Sequence, residues 1–162
     1  MLLNILTEPN TILRQKAKDI NWGTIDKTVL ASLATDMLET MYVKYGVGLA
    51  APQVGHSIRM FVISKAYSLD KTQEMVLINP VWEKASIFKV WDEEGCLSVP
   101  DIYGHVKRFK KIKVKGLDLN GKPVNFMAEG FLARIIQHES DHLDGVLFID
   151  KAKDLHPLEK NI

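Results

Sequence analysis

The sequence predicts an α+β fold, in which mostly antiparallel sheets surround a central helix with a His-Glu-x-x-His motif and a long amphipathic helix lies towards the N-terminus. Apolar residues recur at helical spacing in two segments, residues 24–44 and residues 130–143. The segments between them have strand-like composition and do not alternate regularly with helices, which favours antiparallel pairing. A chain of 162 residues, 46% of them apolar, suits one compact domain, and we expect residues 1–162 to form it.

The first helix is predicted over residues 24–44, and two glycines, Gly46 and Gly48, are expected to end it. Its apolar residues recur at a spacing of four, which predicts one buried stripe. That stripe consists of Ile25, Val29, Leu33, Met37 and Met41.

The middle of the chain predicts a series of strands. Residues 59–64 and 75–79 form short apolar strands, residues 81–90 suit a further pair, and Pro80 is expected to interrupt pairing between them. Residues 107–115 alternate basic and apolar side chains, as in a strand with one solvated face.

A hairpin and a second helix complete the predicted elements. Residues 111–117 and 124–127 flank Asn120 and Gly121, a pair typical of hairpin turns. The second helix is predicted over residues 130–143, with Gly145 at its C-terminal stop. Its apolar face comprises Phe131, Leu132, Ile135, Ile136 and Leu143.

Composition excludes several classes of protein. Lysine and arginine number 21 against 20 acidic residues, so no basic field indicates a nucleic-acid partner. The first residues lack the basic region of a signal peptide and no apolar run reaches membrane-spanning length, so we expect a cytoplasmic protein. The one cysteine, Cys96, has no disulfide partner in the chain. Its thiol is free for a metal or for chemistry, although a lone cysteine also serves as a small buried apolar residue.

The second helix carries His-Glu-Ser-Asp-His at positions 138–142. Two imidazoles four residues apart share one helical face, and Glu139 lies beside them as a base for a metal-bound water. The alternative is two histidines on a polar surface. The apolar run just before the motif favours a buried face and therefore a metal site.

A catalytic metal site also needs a third protein ligand. Position 148 is Phe148 rather than the histidine of a metzincin. Only 20 residues follow His142, too few for the further helix that carries a glutamate ligand in thermolysin-like enzymes, and Glu159 is close to the chain end. Cys96 is the strongest upstream candidate, because Gly95 before it lets the backbone pass close to another group.

Cys96 belongs to the second of three motifs that occur in order along the chain. The sequence resembles the peptide deformylase family, whose motifs are G-x-G-x-A-A-x-Q, E-G-C-L-S and Q-H-E-x-D-H. They stand here as Gly46-Val47-Gly48-Leu49-Ala50-Ala51-Pro52-Gln53, Glu94-Gly95-Cys96-Leu97-Ser98 and Gln137-His138-Glu139-Ser140-Asp141-His142.

The resemblance implies a single catalytic domain that hydrolyses the formyl group from the N-terminal formyl-methionine of nascent polypeptides and releases formate. By resemblance, Cys96, His138 and His142 bind one divalent metal ion, and a water completes a tetrahedral site. Ferrous iron is the expected physiological metal, and zinc or nickel are alternative occupants.

Roles for four further residues follow from the same resemblance. The metal-bound water attacks the formyl carbon, and Glu139 takes its proton and later delivers it to the leaving amine. The Gln53 side-chain amide and the Leu97 backbone N–H stabilise the oxyanion, although Gln53 taken alone would be an ordinary loop residue. Gly48, like Gly46, lets the backbone lie against an extended peptide, besides ending a helix.

The methionine side chain is expected to enter an apolar pocket formed partly by Val47, Phe131 and Ile135, with Glu94 and Tyr103 beside it. The chain departs from the best-known bacterial relative near this pocket, where charged residues replace apolar ones and a tyrosine replaces an arginine: Asp92, Arg134 and Tyr103.

Two supporting contacts complete the expected site. Glu94 is expected to pair with Arg108. Asp141 is not a ligand by spacing, and we expect it to orient a neighbouring histidine or positive group.

The expected partners are formyl-methionyl nascent peptides and the ribosome near its exit tunnel, with no nucleic-acid or membrane partner. Residues 151–162, with Lys151, Lys153 and Lys160, are the candidate ribosome contact, although a solvated, frayed tail is the simpler expectation.

Two other functions compete with the deformylase interpretation. A metallopeptidase would take its third ligand downstream of the helix rather than from Cys96. A non-catalytic binding homologue would usually have lost Glu139 or Gln53, and both are present.

Overall fold

The computed structural model describes residues 1–158, which contain two α-helices and eight strands. The helices are α1 (Lys27–Val43) and α2 (Gly130–Leu143). The strands are β1 (Gly48–Ala50), β2 (Met60–Ile63), β3 (Met75–Lys84), β4 (Lys89–Cys96), β5 (Val99–Phe109), β6 (Lys111–Leu117), β7 (Pro123–Glu129) and β8 (Lys153–Pro157).

The strands form two antiparallel sheets. One has five strands in the order β1-β2-β3-β6-β7, and the other has three in the order β4-β5-β8. All six strand pairings are antiparallel. The α+β class with antiparallel sheets is therefore confirmed.

The local sequence signals located most strands well. Strand β2 and the hairpin of β6 and β7 lie where they were predicted, with Gly121 in the turn at φ 78°. Pairing is interrupted at Pro80 as expected, since the register of β3 shifts between Ile78 and Val81, although the strand itself continues to Lys84. The predicted pair in residues 81–90 is thus the second half of β3 and the start of β4.

Helix α1 begins at Lys27 rather than at residue 24, because the Asp26 side chain accepts hydrogen bonds from the first backbone N–H groups. The predicted stripe is wrong at Val29, which is 63% exposed. A spacing of four advances about 40° per step around a helix, so a long series of this kind drifts off one face. The buried apolar residues instead mix spacings of three and four: Leu30, Leu33, Ala34, Met37 and Met41.

The two helices pack on opposite faces of the five-stranded sheet. In β2, Met60 and Val62 pack with α1, whereas Phe61 and Ile63 pack with α2, so every residue of this strand is buried. Helix α2 ends before Gly145, which has φ 74° as expected of a C-terminal stop. The opposite side of α2 faces β4 and β5, which places α2 between the two sheets.

The C-terminal segment differs from the expected frayed tail. Residues Lys153–Pro157 form β8 and pair with β5, and the Lys151 ammonium donates to Asp141 at 2.9 Å. Lys160 and Glu159 lie outside the described residues. Within residues 1–158, no helix combines the length and apolar character that crossing a bilayer requires.

Asn79 gives a test of the β3 irregularity. It has φ 48°, and its side-chain amide both accepts from the Ile20 N–H and donates to the Ile20 carbonyl at 2.8 Å. We expect Asn79→Ala to lower the free energy of unfolding by about 2 to 4 kcal/mol, measured by urea denaturation, because it loses both bonds and keeps an unfavourable φ. Asn79→Gly should lose less unfolding free energy, because glycine adopts a positive φ without strain. Equal losses in the two variants would show that the left-handed backbone has no measurable cost here.

Candidate metal centre

Three side chains with metal-binding atoms converge between the two sheets. Cys96 is the last residue of β4, and His138 and His142 lie one turn apart on α2. Their ligand atoms all lie within 4.8 Å of one another, and Cys96 Sγ is 3.2 Å from His142 Nε2. The structure therefore brings the three predicted ligands together.

The Glu94 carboxylate organises the surroundings of this cluster. Arg108 donates to both of its oxygens at 2.8 Å, and Arg134 donates to Oε2 at 2.6 Å. His138 Nδ1 lies 2.8 Å from Oε1. The predicted pairing of Glu94 with Arg108 is present, and the carboxylate also joins β4 and β5 to α2.

The contact with Glu94 sets the orientation of His138. Because Nδ1 donates to the carboxylate, Nε2 is the nitrogen that faces Cys96 and His142. Burial lowers the pKa of His138, but hydrogen bonds with Cys96 and Glu94 outweigh it and raise the pKa to about 10. Cys96 and Glu94 therefore favour a positive charge at the His138 ring. A bound metal cation would take the place of the proton on Nε2.

His142 is held differently. Burial and the neighbouring His138 charge lower its pKa well below the ordinary range, so its ring is neutral, as a ligand must be. Its Nδ1 is buried and has no hydrogen-bond partner among residues 1–158. One thiol and two imidazoles form a donor set that suits zinc or ferrous iron, and the residues fit a divalent metal of this kind.

Asp141 supports the cluster from outside. It accepts from Arg108 at 2.7 Å and from Lys151 at 2.9 Å, so the partners it orients are cations rather than a histidine. Arg108 therefore bridges two carboxylates, one on β4 and one on α2.

Glu139 is buried beside the cluster without a charged partner in direct contact. Its Oε2 has no hydrogen bond within the described part of the chain, and burial raises the pKa of this carboxyl to about 7. Gly48 lies against it, since a Cβ at that position would come within 2.6 Å of Glu139 Oε1. The glycine is needed here for the close approach of β1 to the carboxylate.

Gln53 is fixed by the strand and turn next to it. Its Oε1 accepts from the Ala50 N–H at 2.8 Å, which orients the amide nitrogen towards Ser98 Oγ at 3.1 Å and Cys96 Sγ at 3.5 Å. Leu97 lies in the short turn between β4 and β5. An amide donor thus stands directly at the cysteine.

A cavity of about 430 Å³ opens onto the cluster, which is within the range of small-ligand sites. All five predicted pocket residues line it, namely Val47, Phe131, Ile135, Glu94 and Tyr103. The Glu94 carboxylate is nevertheless fully engaged with its partners. Gly95 is required for close approach, because a Cβ there would come within 2.5 Å of the Tyr103 ring.

Two charged residues, Arg134 and Asp92, were expected near this pocket. Arg134 lines the cavity but is buried, and its guanidinium binds Glu94 and the Val106 and Val90 carbonyls. The signal for this role was its position four residues before His138, on the same helical face. Asp92 is not among the cavity-lining residues.

Comparison with known proteins agrees with this geometry. A sequence model of the family described as polypeptide deformylase matches residues 2–158. Peptide deformylase 1 of Clostridium perfringens is 49% identical over 151 residues, covering 91% of this chain and 95% of that protein. The peptide deformylase of Desulfotalea psychrophila is 44% identical over 155 residues, covering 95% of this chain and 89% of that one.

Solved structures are similar over the same extent. The crystal structure of a peptide deformylase from Thermotoga maritima has a TM-score of 0.86 and 38% identity, covering 94% of this chain and 99% of that chain. A class I type b peptide deformylase from Acinetobacter baumannii with bound Met-Ala-Ser has a TM-score of 0.86 and 36% identity, covering 93% of this chain and 98% of that chain. The similarity thus includes both sheets and both helices.

Glu94 provides a test of the cluster. Burial would raise its pKa, but Arg108 and His138 hold the pKa well below its ordinary value of 4.5. Glu94→Gln removes the carboxylate partner of buried Arg134 and leaves Arg108 with Asp141 alone, so we expect unfolding free energy at pH 7 to fall by about 3 to 5 kcal/mol and metal affinity by about 10- to 100-fold. Chemical denaturation and metal titration measure these two effects.

The contribution of Glu94 to the free energy of unfolding depends on pH in a definite direction. Because the folded pKa is depressed, the Glu94 contribution is complete above about pH 5 and is lost progressively as the pH falls below 4.5. The stability gap between the wild type and Glu94→Gln should narrow in that acidic range. The exposed Glu83→Gln variant is the matched control. If it differed from the wild type in unfolding free energy by as much as Glu94→Gln does, that result would argue against a special role for Glu94.

Proposed function

Since the chain belongs to the polypeptide deformylase family and removes the N-formyl group from nascent peptides in a metal-dependent hydrolysis, we propose that the cluster of Cys96, His138 and His142 is its catalytic centre. We further propose that residues 1–162 act as one catalytic domain. The observation that carries this proposal is the convergence of three ligand atoms within 4.8 Å beside a buried, unpaired Glu139 carboxylate.

The three ligands are proposed to hold one divalent ion, which supplies Lewis acidity and lowers the pKa of water at the formyl group. Ferrous iron is our proposal for the physiological metal, because a soft thiolate with two imidazoles accepts it, with zinc or nickel as alternative occupants. The hydrogen bond from His138 Nδ1 to Glu94, 2.8 Å long, would keep this ligand in place through each turnover.

Glu139 is proposed to move the proton. A carboxyl with a pKa of about 7 is ready at neutral pH either to take or to give a proton, which is what a base that later acts as an acid requires. It takes a proton from the attacking water and delivers it to the amine nitrogen as the C–N bond breaks. The products are formate and a peptide with a free amino group.

Gln53 and Leu97 are proposed to stabilise the negative charge on the formyl oxygen. The Gln53 amide is held in one orientation by the Ala50 N–H and directs its nitrogen towards Cys96. A donor oriented before the reaction loses no free energy to reorganisation when charge develops. The Leu97 backbone N–H, in the turn after Cys96, is the proposed second donor.

The peptide is proposed to bind along residues 46–48. Residues 46–48 line the cavity, and Gly48 begins β1, an edge strand that pairs only with β2 among the described residues, so a peptide could add as a strand beside them. The relative from Acinetobacter baumannii binds Met-Ala-Ser, which supports an extended peptide ligand here. The methionine side chain would enter the cavity between Val47, Phe131 and Ile135, which line its wall.

The competing functions gain no support from the site. A metallopeptidase of the ordinary kind needs a third ligand downstream of α2, and within the described chain the only grouped ligands are Cys96, His138 and His142. An inactive binding homologue would lack part of the machinery, whereas Glu139 and Gln53 are both in place.

The setting of the reaction is proposed as well. We place it in the cytoplasm, on chains that are still emerging from the ribosome. A ribosome contact through residues 151–162 stays a prediction, and the pairing of β8 with β5 would present the first part of this segment in a rigid form.

Release of formate from formyl-Met-Ala-Ser tests the proposal. We expect anaerobically purified, iron-loaded enzyme to be active. Glu139→Gln should lower kcat by about 10²- to 10⁴-fold because the proton carrier is lost, and Gln53→Ala by about 10²- to 10³-fold because an oxyanion donor is lost. Both variants should retain metal by elemental analysis.

Two exposed residues serve as matched controls, Glu129→Gln at the N-cap of the helix that carries Glu139 and Gln73→Ala for the amide. Neither should alter kcat appreciably. Cleavage of internal peptide bonds without formate release would replace this proposal by the metallopeptidase function, and neither activity would favour a binding protein.

Metal replacement tests the ligand set. Cobalt-loaded wild type should show thiolate-to-metal charge-transfer absorption, and Cys96→Ser should lose it because an alcohol oxygen replaces the thiolate. His56→Ala, a change in a surface histidine, is the control. Retention of the thiolate band in Cys96→Ser would remove this cysteine from the site.

A further inference from the structure

The turn between β3 and β4 presents two large apolar side chains to solvent. Ile87 is 79% exposed and Phe88 is 69% exposed. The backbone of this turn is held, because the Phe88 carbonyl accepts from the Lys110 N–H at 2.9 Å and the Phe88 N–H donates to Ser86 Oγ at 3.2 Å. We call residues 85–88 the tip. Two adjacent apolar side chains on a fixed turn form a surface patch, and such patches mark sites of interaction.

The apolar surface continues from the tip along β4. Val90 and Trp91 are exposed, and the Trp91 ring is close to two ammonium groups, those of Lys107 at 5.9 Å and Lys153 at 5.0 Å from its centroid. Strand residues advance about 3.3 Å each, so Trp91 lies roughly 10 Å from Phe88. An indole ring beside cations is typical of the boundary between water and an apolar phase.

The strand ends around the tip carry an excess of positive charge. Residues 83–92 and 107–112, together with the neighbouring end of β7, include more lysines than exposed carboxylates. The lysines are Lys84, Lys89, Lys107, Lys110 and Lys111, and the carboxylates are Glu83, Asp92 and Glu129. An apolar tip surrounded by lysines is complementary to a partner that is negatively charged at its surface and apolar beneath it.

The shape of the tip favours a lipid bilayer over a nucleic acid or a protein. A nucleic-acid base could stack on the Phe88 ring, but it would leave the aliphatic Ile87 side chain in water. A protein partner would need a groove that matches two side chains on one turn. Hydrocarbon chains adapt to such a tip, and insertion by about 5 to 10 Å brings Trp91 and the lysines to the level of the lipid headgroups.

We propose that the tip, together with Trp91 and the surrounding lysines, is a docking site that holds the protein reversibly on an anionic lipid bilayer. The contact is peripheral, since it involves only a turn and the strand that follows it. The expectation of no membrane partner came from apolar runs and overall charge, and neither of these shows a surface that β3, β4, β5 and β6 assemble together. This inference does not depend on the proposed function.

Docking through the tip leaves the metal centre accessible. Strand β4 runs from Lys89, next to the tip, to Cys96, and an advance of about 3.3 Å per residue places this cysteine roughly 23 Å from the tip. Neither Ile87 nor Phe88 lines the cavity. A peptide could therefore reach the cavity while the tip is in the bilayer, and changes at the tip should not affect hydrolysis in solution.

Sedimentation with lipid vesicles tests the proposal. We expect the metal-loaded protein to bind vesicles of phosphatidylcholine mixed with phosphatidylglycerol but not vesicles of phosphatidylcholine alone, and to bind less as the salt concentration rises. The double variant Ile87→Ser, Phe88→Ser should bind the mixed vesicles about tenfold more weakly, because two apolar side chains no longer leave water. Lys110→Ala should weaken binding by about fivefold, because it removes one attraction to the anionic surface.

Fluorescence separates insertion of the tip from adsorption by charge alone. The Phe88→Trp variant adds an indole at the tip, and the wild type, with its three tryptophans, gives the baseline. We expect brominated acyl chains in the mixed vesicles to quench the added fluorescence. Equal fractional quenching by lipids brominated on the acyl chain and by unbrominated lipids would contradict insertion and overturn the proposal.

Two exposed residues away from the tip provide matched controls, Val29→Ser on α1 and Lys16→Ala. Both should bind the mixed vesicles as the wild type does. All variants should keep the circular dichroism spectrum and the rate of formate release that the wild type has without vesicles, which shows that the fold is intact.

The outcomes that would overturn the proposal are distinct from failure of the proposed function. Equal binding of the wild type and the double variant to mixed vesicles, or no binding by the wild type, would refute the docking site. Binding of single-stranded RNA through the same lysines without vesicle binding, or a dimer that the double variant abolishes, would assign the tip to another partner and also refute it. None of these measurements depends on deformylation, which formate release in solution tests separately.

Discussion

The buried carboxylate of Glu94 is the interaction on which the rest of the site depends. It accepts hydrogen bonds from Arg108, Arg134 and His138, which come from β5 and α2, while Glu94 itself lies on β4. Glu94 is the carboxylate partner of buried Arg134 and one of two carboxylate partners of buried Arg108, and an unpaired ion in the interior is very unfavourable. The carboxylate therefore holds together the elements that carry Cys96 and His138.

The contrast between two carboxylates explains how one small site supports acid and base chemistry. Glu94 is surrounded by cations and has a depressed pKa, so it stays ionised and positions His138. Glu139 is equally buried but has no such partner, and its pKa rises to about 7. Groups whose environments drive their pKa values apart can take different roles, which is consistent with the proton transfer proposed for Glu139.

Several features near the cluster lower stability in favour of function. Glu139 Oε2 and His142 Nδ1 are buried without partners among the described residues, and Tyr45 has an unfavourable φ. Each would normally be corrected if stability alone mattered, by a hydrogen-bond donor or a glycine. Glu139 and Tyr45 line the cavity, and such features are typical of a site whose groups must remain available to a substrate.

The sequence by itself determined what depends on neighbouring residues: the α2 helix with its two histidines on one face, the hairpin of β6 and β7, and the antiparallel α+β class. By resemblance, the three motifs also gave Cys96, Gln53 and Glu139 as candidate site residues. Only the tertiary structure decided that Arg134 joins Glu94, that Val29 is exposed, that β3 passes through Pro80, and that residues 153–157 form a strand. The physical reason is that each of these depends on a partner distant in the chain, and periodicity or spacing carries no information about which distant groups will meet.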